Sequence, residues 1–239
     1  MPSWLPPLAE TYILLSLLSA VLVAADILVL GHRQKMAVMD VVWPLTILYW
    51  RPLGLPFYAA FGRATAAAMA AAHAGGHGAH GHDGHGHGHH HDGKPNWQSV
   101  FTGATHCGAG CVLGDLLGDW LVFATGMVLF GSALGAKYVL AFVLAFLFGI
   151  AFQYASIVPM RGLGWREGIV AAVKVDTLSI LAYEVGMFLV MGLRAWLLPD
   201  LAPTTWTYWF FMQVAMLAGF WTTYPVNWWL IARGTKEAM

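Results

Sequence analysis

Charge is scarce in this chain. Of its 239 residues only 10% are Asp, Glu, Lys or Arg, against about 25% in ordinary soluble domains. Twelve cations and twelve anions cancel to a formal net charge of zero, so nothing suggests a nucleic acid or another polyanionic partner. Cysteine occurs twice, at 107 and 111, and the C-x-x-C spacing of thiol–disulfide enzymes is absent. No P-loop or dinucleotide fingerprint occurs, which argues against an ATP-driven pump unless a partner supplies the ATPase. The N-terminal apolar segment lacks a basic stretch and a small-residue cleavage site, so it is expected to stay as a membrane span.

Apolar residues are what the chain has in excess: 59% of it is hydrophobic and the mean hydropathy is +0.63. Several runs reach the roughly 20 apolar residues that a bilayer core requires. The expected fold is all-α: a polytopic membrane helical bundle of about six transmembrane helices, forming one domain over residues 1–239 with the lipid bilayer as its main partner. Spans are expected near 8–30, 36–61, 107–130, 137–158 and 166–198. A sixth lies between Trp206, Tyr208 and Trp209 at one end and Trp228 and Trp229 at the other, an aromatic-belt pattern. Pro44, Pro52 and Pro56 interrupt the second span. With both termini inside, six cations (Arg63, Lys94, Arg161, Arg166, Arg233, Lys236) face the cytoplasm and four (Arg33, Lys35, Lys137, Arg194) face outward.

Between the second and third spans, residues 73–96 form a His/Gly-rich segment expected to be a mobile loop. Nine of the eleven histidines fall in residues 73–91, among them His85, His87, His89, His90 and His91. Neutral imidazole binds zinc, nickel and copper(II), so this tract can capture metal or act as a plain spacer.

Residues 105–119 read T-H-C-G-A-G-C-V-L-G-D-L-L-G-D. On a helix beginning near His106, Cys107, Cys111, Asp115 and Asp119 fall on one face at successive steps of four. Gly108, Gly110, Gly114 and Gly118 lie between them, and in membranes small residues let backbones approach closely. Imidazole and thiolate suit copper(I) or zinc, and the carboxylates suit protons or harder ions. Two small buried thiols would be the plain structural alternative. Met187 with Met191, and Met212 with Met216, form two M-x-x-x-M steps whose thioethers favour copper(I) or simply fill the core. Lys174, Asp176 and Glu184 lie within the fifth span, where ionisable groups are expected to face the bundle interior and serve an ion or proton pathway or fix helix register. Asp115 or Asp119 is the expected partner of Lys174. Asp26, and Asp40 with Arg51, are expected to extend this interior network.

Several blocks together are distinctive: G-H-R-Q-K-M at 31–36, V-W-P-L-T at 42–46, T-H-C-G-A-G-C-V-L-G-D at 105–115, Q-Y-A-S-I-V-P-M-R at 153–161, V-D-T-L-S at 175–179, and the stretch 212–239. In this order they resemble the bacterial membrane family of domain of unknown function 4396, over nearly the whole chain except the His-rich segment. The resemblance implies a multi-pass protein of the bacterial inner membrane and almost no biochemistry.

The residues favour a protein that binds and transports a soft transition-metal ion, copper(I) first and zinc or nickel next. In that reading the His-rich loop captures the ion, and His106, Cys107 and Cys111 bind it at the membrane entrance. Met187, Met191, Met212 and Met216 line the path, while Asp115, Asp119, Asp176, Glu184 and Lys174 handle charge and protons. Two alternatives stand beside it: a thiol–disulfide oxidoreductase using Cys107 and Cys111, and a metal-binding assembly subunit that transports nothing. A homo-oligomer or a partner membrane subunit is compatible with each, and no catalytic residue is assigned.

Overall fold

A computed structural model describes residues 2–34, 36–63 and 96–236. Six α-helices of twelve residues or more run through them: α1 (Leu5–Leu28), α2 (Met39–Trp50), α3 (Trp97–Thr125), α4 (Ala133–Arg161), α5 (Trp165–Leu197) and α6 (Trp206–Ala232). No β-strand occurs among the described residues, as expected of a chain whose backbone polar groups must be satisfied within each segment. The His-rich loop, with His85, His87, His89, His90 and His91, lies outside the described residues.

Four of the helices, α1, α3, α4 and α5, are long and apolar enough to cross a membrane, fewer than the six spans expected. The sixth segment is a helix of 27 residues, about 40 Å at 1.5 Å per residue. Its Trp, Tyr, Thr, Gln and Asn content keeps its mean hydropathy below that of the four candidate spans, although it packs along α5 and against α3.

The second segment departs most from expectation. After only 12 residues α2 stops, about 18 Å long and too short to span. Arg51-Pro52-Leu53 makes a tight turn, and the chain comes back through 54–57 and a single wide turn over 58–62. Contacts define the return. Near the tip the Arg51 guanidinium lies over the Tyr12 ring of α1. At the base Tyr58 and Arg63 both bond to Asp26 near the end of α1, at 2.8 and 3.0 Å, while Arg33 bonds Asp40 at 3.1 Å. The prolines therefore close a hairpin that starts and finishes at one end of the bundle. Asp26, Asp40 and Arg51 serve this hairpin and do not join an interior network.

The remaining directions follow from side-chain pairs. Tyr12 meets Phe210 and Ser16 bonds Gln213, so α1 runs parallel to α6. Tyr224 bonds the Trp97 carbonyl and Tyr208 bonds Asp119, so α3 runs antiparallel to α6. Leu5 and Lys236 consequently lie at opposite ends, which does not fit the expected arrangement with both termini on one side. One end gathers Arg33, Arg63, Arg161, Arg166, Arg233 and Lys236; the other holds Lys137 and Arg194. Exposed tryptophans ring both ends: Trp97, Trp165, Trp228 and Trp229 at the first, Trp4, Trp120, Trp196 and Trp206 at the second. Such rings suit membrane interfaces.

α3 is the central helix, with 61% of its apolar window buried against 22–44% for the other three. Its glycines explain how. A Cβ on Gly110 would lie 2.6 Å from the Gly149 backbone of α4, one on Gly114 would fall onto the Ala145 backbone, and one on Gly118 would sit 3.0 Å from Ala141. Small residues at steps of four on both helices thus let α3 and α4 touch backbone to backbone. Gly108 is on another side, facing Tyr49 and Tyr183.

Candidate functional site

The 105–119 motif sits deeper than expected. α3 begins at Trp97, where the Asn96 side chain accepts a hydrogen bond from the Ser99 amide at 2.8 Å, satisfying one of the helix's open N–H groups. The moderately polar turns 97–106 hid this start from a hydropathy reading. Cys107 is thus ten residues into the helix, about 15 Å along it, and lies within the bundle instead of at its mouth. Cys107, Cys111, Asp115 and Asp119 are all buried, and the rest of the bundle supplies partners along their row.

At the cation-rich end of that row, Cys107 Sγ donates to Asp176 Oδ1 at 2.6 Å. Lys236, four residues beyond the end of α6, turns back into the bundle and brings its Nζ to 2.8 Å from Cys107 Sγ and 2.9 Å from Asp176 Oδ1. Lys236 and Asp176 are both fully buried in their side chains, at 0% exposure. Burial alone would lower the Lys236 pKa; the Asp176 charge and the Cys107 sulfur outweigh it and raise it above the ordinary lysine value. Asn227 borders this knot, accepting from Ser179 at 3.2 Å and donating to the Thr223 carbonyl at 3.0 Å.

At the opposite end Lys137 Nζ lies 3.3 Å from Asp119 Oδ1, and Tyr208 donates to the other Asp119 oxygen. Arg194 stacks over the Tyr208 ring with its guanidinium carbon 4.5 Å from the centroid.

Between these two lysine-closed ends no cation among the described residues pairs with Asp115 or Glu184. Cys111 faces the Glu184 carboxylate of α5, and Asp115 is within electrostatic reach of Glu184 and Asp119. All four carboxylate oxygens of Asp115 and Glu184 are buried without a hydrogen-bond partner, as are the hydroxyls of Tyr49 and Tyr183. Met187, Met191 and Met212 join Asp115 and Asp119 around a void of about 10 Å³, which Lys137 and Arg194 close on the Asp119 side, room for about one water-sized occupant. Met216 is buried too, lining instead an apolar crevice with Leu17, Leu48 and Val112.

Two more expected site residues are placed elsewhere. His106 turns to α4, its Nε2 2.8 Å from Ser156 Oγ and its ring against Phe152, so it does not complete a ligand set with the thiols. Lys174 is exposed on the outer face of α5; Lys137 takes the role at Asp119 expected of it. Both cysteines are free, and each addresses a different carboxylate. Among the described residues no three His, Cys, Asp or Glu side chains are already close enough to enclose a metal ion.

Lys236, Lys137, Asn227, Arg194 and Tyr208 were not anticipated at this site. Lys137 had a signal, since a short turn joins the end of α3 to the start of α4 and puts it near Asp119. Lys236 had none, because a lysine just past a span ordinarily reaches for the headgroups.

No curated protein and no solved structure matches this chain. The family model described as Domain of unknown function (DUF4396) matches residues 96–236, which hold α3 to α6 and every residue of the buried column except Tyr49, while α1 and the α2 hairpin lie outside the match. By that match, which covers more than half of its length, the chain belongs to the DUF4396 family.

Proposed function

We propose that this protein moves a cation across the bacterial inner membrane along the buried face of α3, with a soft transition metal, copper(I) first and zinc or nickel next, as cargo. The observation that carries this reading is the Asp115–Glu184 pair, whose four oxygens are buried without a hydrogen-bond partner, with only the Cys111 thiol facing Glu184 and no cation paired to either among the described residues. Two unpaired carboxylates in an apolar interior are too costly to persist as bare anions. They call for protons or for a bound cation, and the groups nearest them choose between cations. Cys111 supplies a thiol and Met187 and Met191 supply thioethers, a set that favours copper(I). An arriving ion would displace protons from Asp115 and Glu184, so that metal and protons exchange at one place.

Lys236 on Cys107 and Asp176, and Lys137 on Asp119, stand in for the cargo at the two ends and would swing aside as it passes. The cation-rich end is cytoplasmic in this reading, following the positive-inside tendency, with the N-terminus outside and the C-terminus inside. Arg63 and Trp97, which flank the His-rich segment, are at that end, so its histidines would offer metal from the cytoplasm.

The test is copper(I) flux into proteoliposomes with a pH dye enclosed. Wild-type protein should carry copper with opposing proton movement, and D115N combined with E184Q should lower the flux at least tenfold while the protein keeps its melting temperature. Undiminished copper flux in that double variant would overturn the proposal.

A further inference from the structure

The outer face of the cation-rich end carries a second feature, which lies away from the buried column. A cleft of about 550 Å³ opens between the end of α4, the first three turns of α5 and the tail after α6. Arg161, Arg166 and Lys174 line it with one carboxylate, Glu167, so Arg166 and Lys174 alone outnumber the anion. Its floor is apolar, with Val170, Ala171 and Val175. The level of the cleft is set by Trp165, an exposed residue at the start of α5 whose ring is stacked by the Arg166 guanidinium at 4.9 Å; such a tryptophan belongs at the headgroup boundary. Lys174 is nine residues further into α5, about 13 Å below that boundary, and exposed where hydrocarbon would surround it. A charged group at that depth needs a counter-ion or must snorkel back to the surface. Snorkelling brings its ammonium up the cleft toward Arg166.

We infer that this cleft binds the headgroup of one anionic phospholipid, with the phosphate held by Arg166 and Lys174 and an acyl chain laid over Val170 and Ala171. The shape and charge fit together: cations above, apolar floor below, and an opening toward the bilayer. A zwitterionic headgroup would add an ammonium to a cleft already in cationic excess, so selection should be for net negative charge. The inference does not depend on what passes through the bundle. Thr235 also lines the cleft and is the neighbour of Lys236, so the bound lipid would rest against the tail that closes the column.

The experiment is native mass spectrometry of the full chain from nanodiscs holding equal phosphatidylglycerol and phosphatidylethanolamine, with lipid retention counted during delipidation. Wild-type protein should retain phosphatidylglycerol at least tenfold over phosphatidylethanolamine. The R166Q/K174Q variant, altered at two exposed positions, should lose that preference, and R233Q, a cation at the same end but outside the cleft, should keep it. Adding inorganic phosphate should not release the lipid, because the acyl contact is missing. Equal retention of the two lipids by wild type, an unchanged preference in R166Q/K174Q, or release by phosphate would each overturn the inference.

Discussion

Lys236→Met removes the one cation among the described residues that reaches Asp176 and Cys107, and its effect can be worked from the geometry. At 2.9 Å the ammonium and carboxylate attract by about 6 kcal/mol at an effective dielectric of about 20. Much of that offsets the cost of burying both charges. The variant keeps the cost and loses the attraction, which for a buried pair amounts to about 3–5 kcal/mol. In a chain of this size that corresponds to about 6–20 °C in melting temperature. The assay is thermal unfolding of the detergent-purified protein. Lys236→Met should melt about 6–20 °C below wild type, and Lys236→Met with Asp176→Asn should recover most of the loss, because a neutral amide has little charge to strand. The raised pKa of Lys236 sets the sign of the pH effect. Its contribution is complete below the ordinary lysine pKa and disappears only as pH climbs through the raised folded value, so wild type should keep the full contribution of Lys236 across neutral pH. A single variant melting within about 2 °C of wild type, or a double variant worse than the single, would show that the ammonium does not sustain this buried carboxylate.

Two further outcomes are expected. In a background without Cys107 and Cys111, cysteines placed at Arg33, Arg63 and Thr235 should all label with an impermeant maleimide from one face and a cysteine at Val128 from the other; labelling of positions 33 and 63 from opposite faces would refute the α2 hairpin. Gly114→Ala should destabilise by about 1–3 kcal/mol through overpacking, because its Cβ falls onto the Ala145 backbone, whereas Gly103→Ala, whose Cβ meets nothing nearer than 3.8 Å, should melt like wild type.

Much of the site was legible because helical periodicity is a local property. Cys107, Cys111, Asp115 and Asp119 had to share a face once residues 105–119 were helical, and glycines at steps of four pointed to a close helix contact. Which helix they would touch was not legible, since the partners Ala141, Ala145 and Gly149 are equally small and equally unremarkable in sequence. His106 illustrates the limit. Adjacent to Cys107 in the chain, it is turned about 100° around the helix axis, and that is enough to send it to Ser156 of α4. The second segment was misread for a related reason. Its prolines marked an interruption, but whether the chain then continued across or doubled back depended on Asp26, Tyr58 and Arg63 meeting over more than 30 residues of sequence.

The apolar surroundings, the all-α class, the row of thiols and carboxylates and the glycine face follow from local pattern, because hydrophobicity and the 3.6-residue period act within a single segment. Which charges are paired is settled by how the helices pack. That packing puts Lys236 on Asp176 and Cys107, puts Lys137 on Asp119, and leaves Asp115 and Glu184 without an ion-pair partner among the described residues. Pairing in a low-dielectric interior depends on separations of a few ångströms between residues as far apart as 129 positions, as for Lys236 and Cys107, and no local pattern encodes those separations.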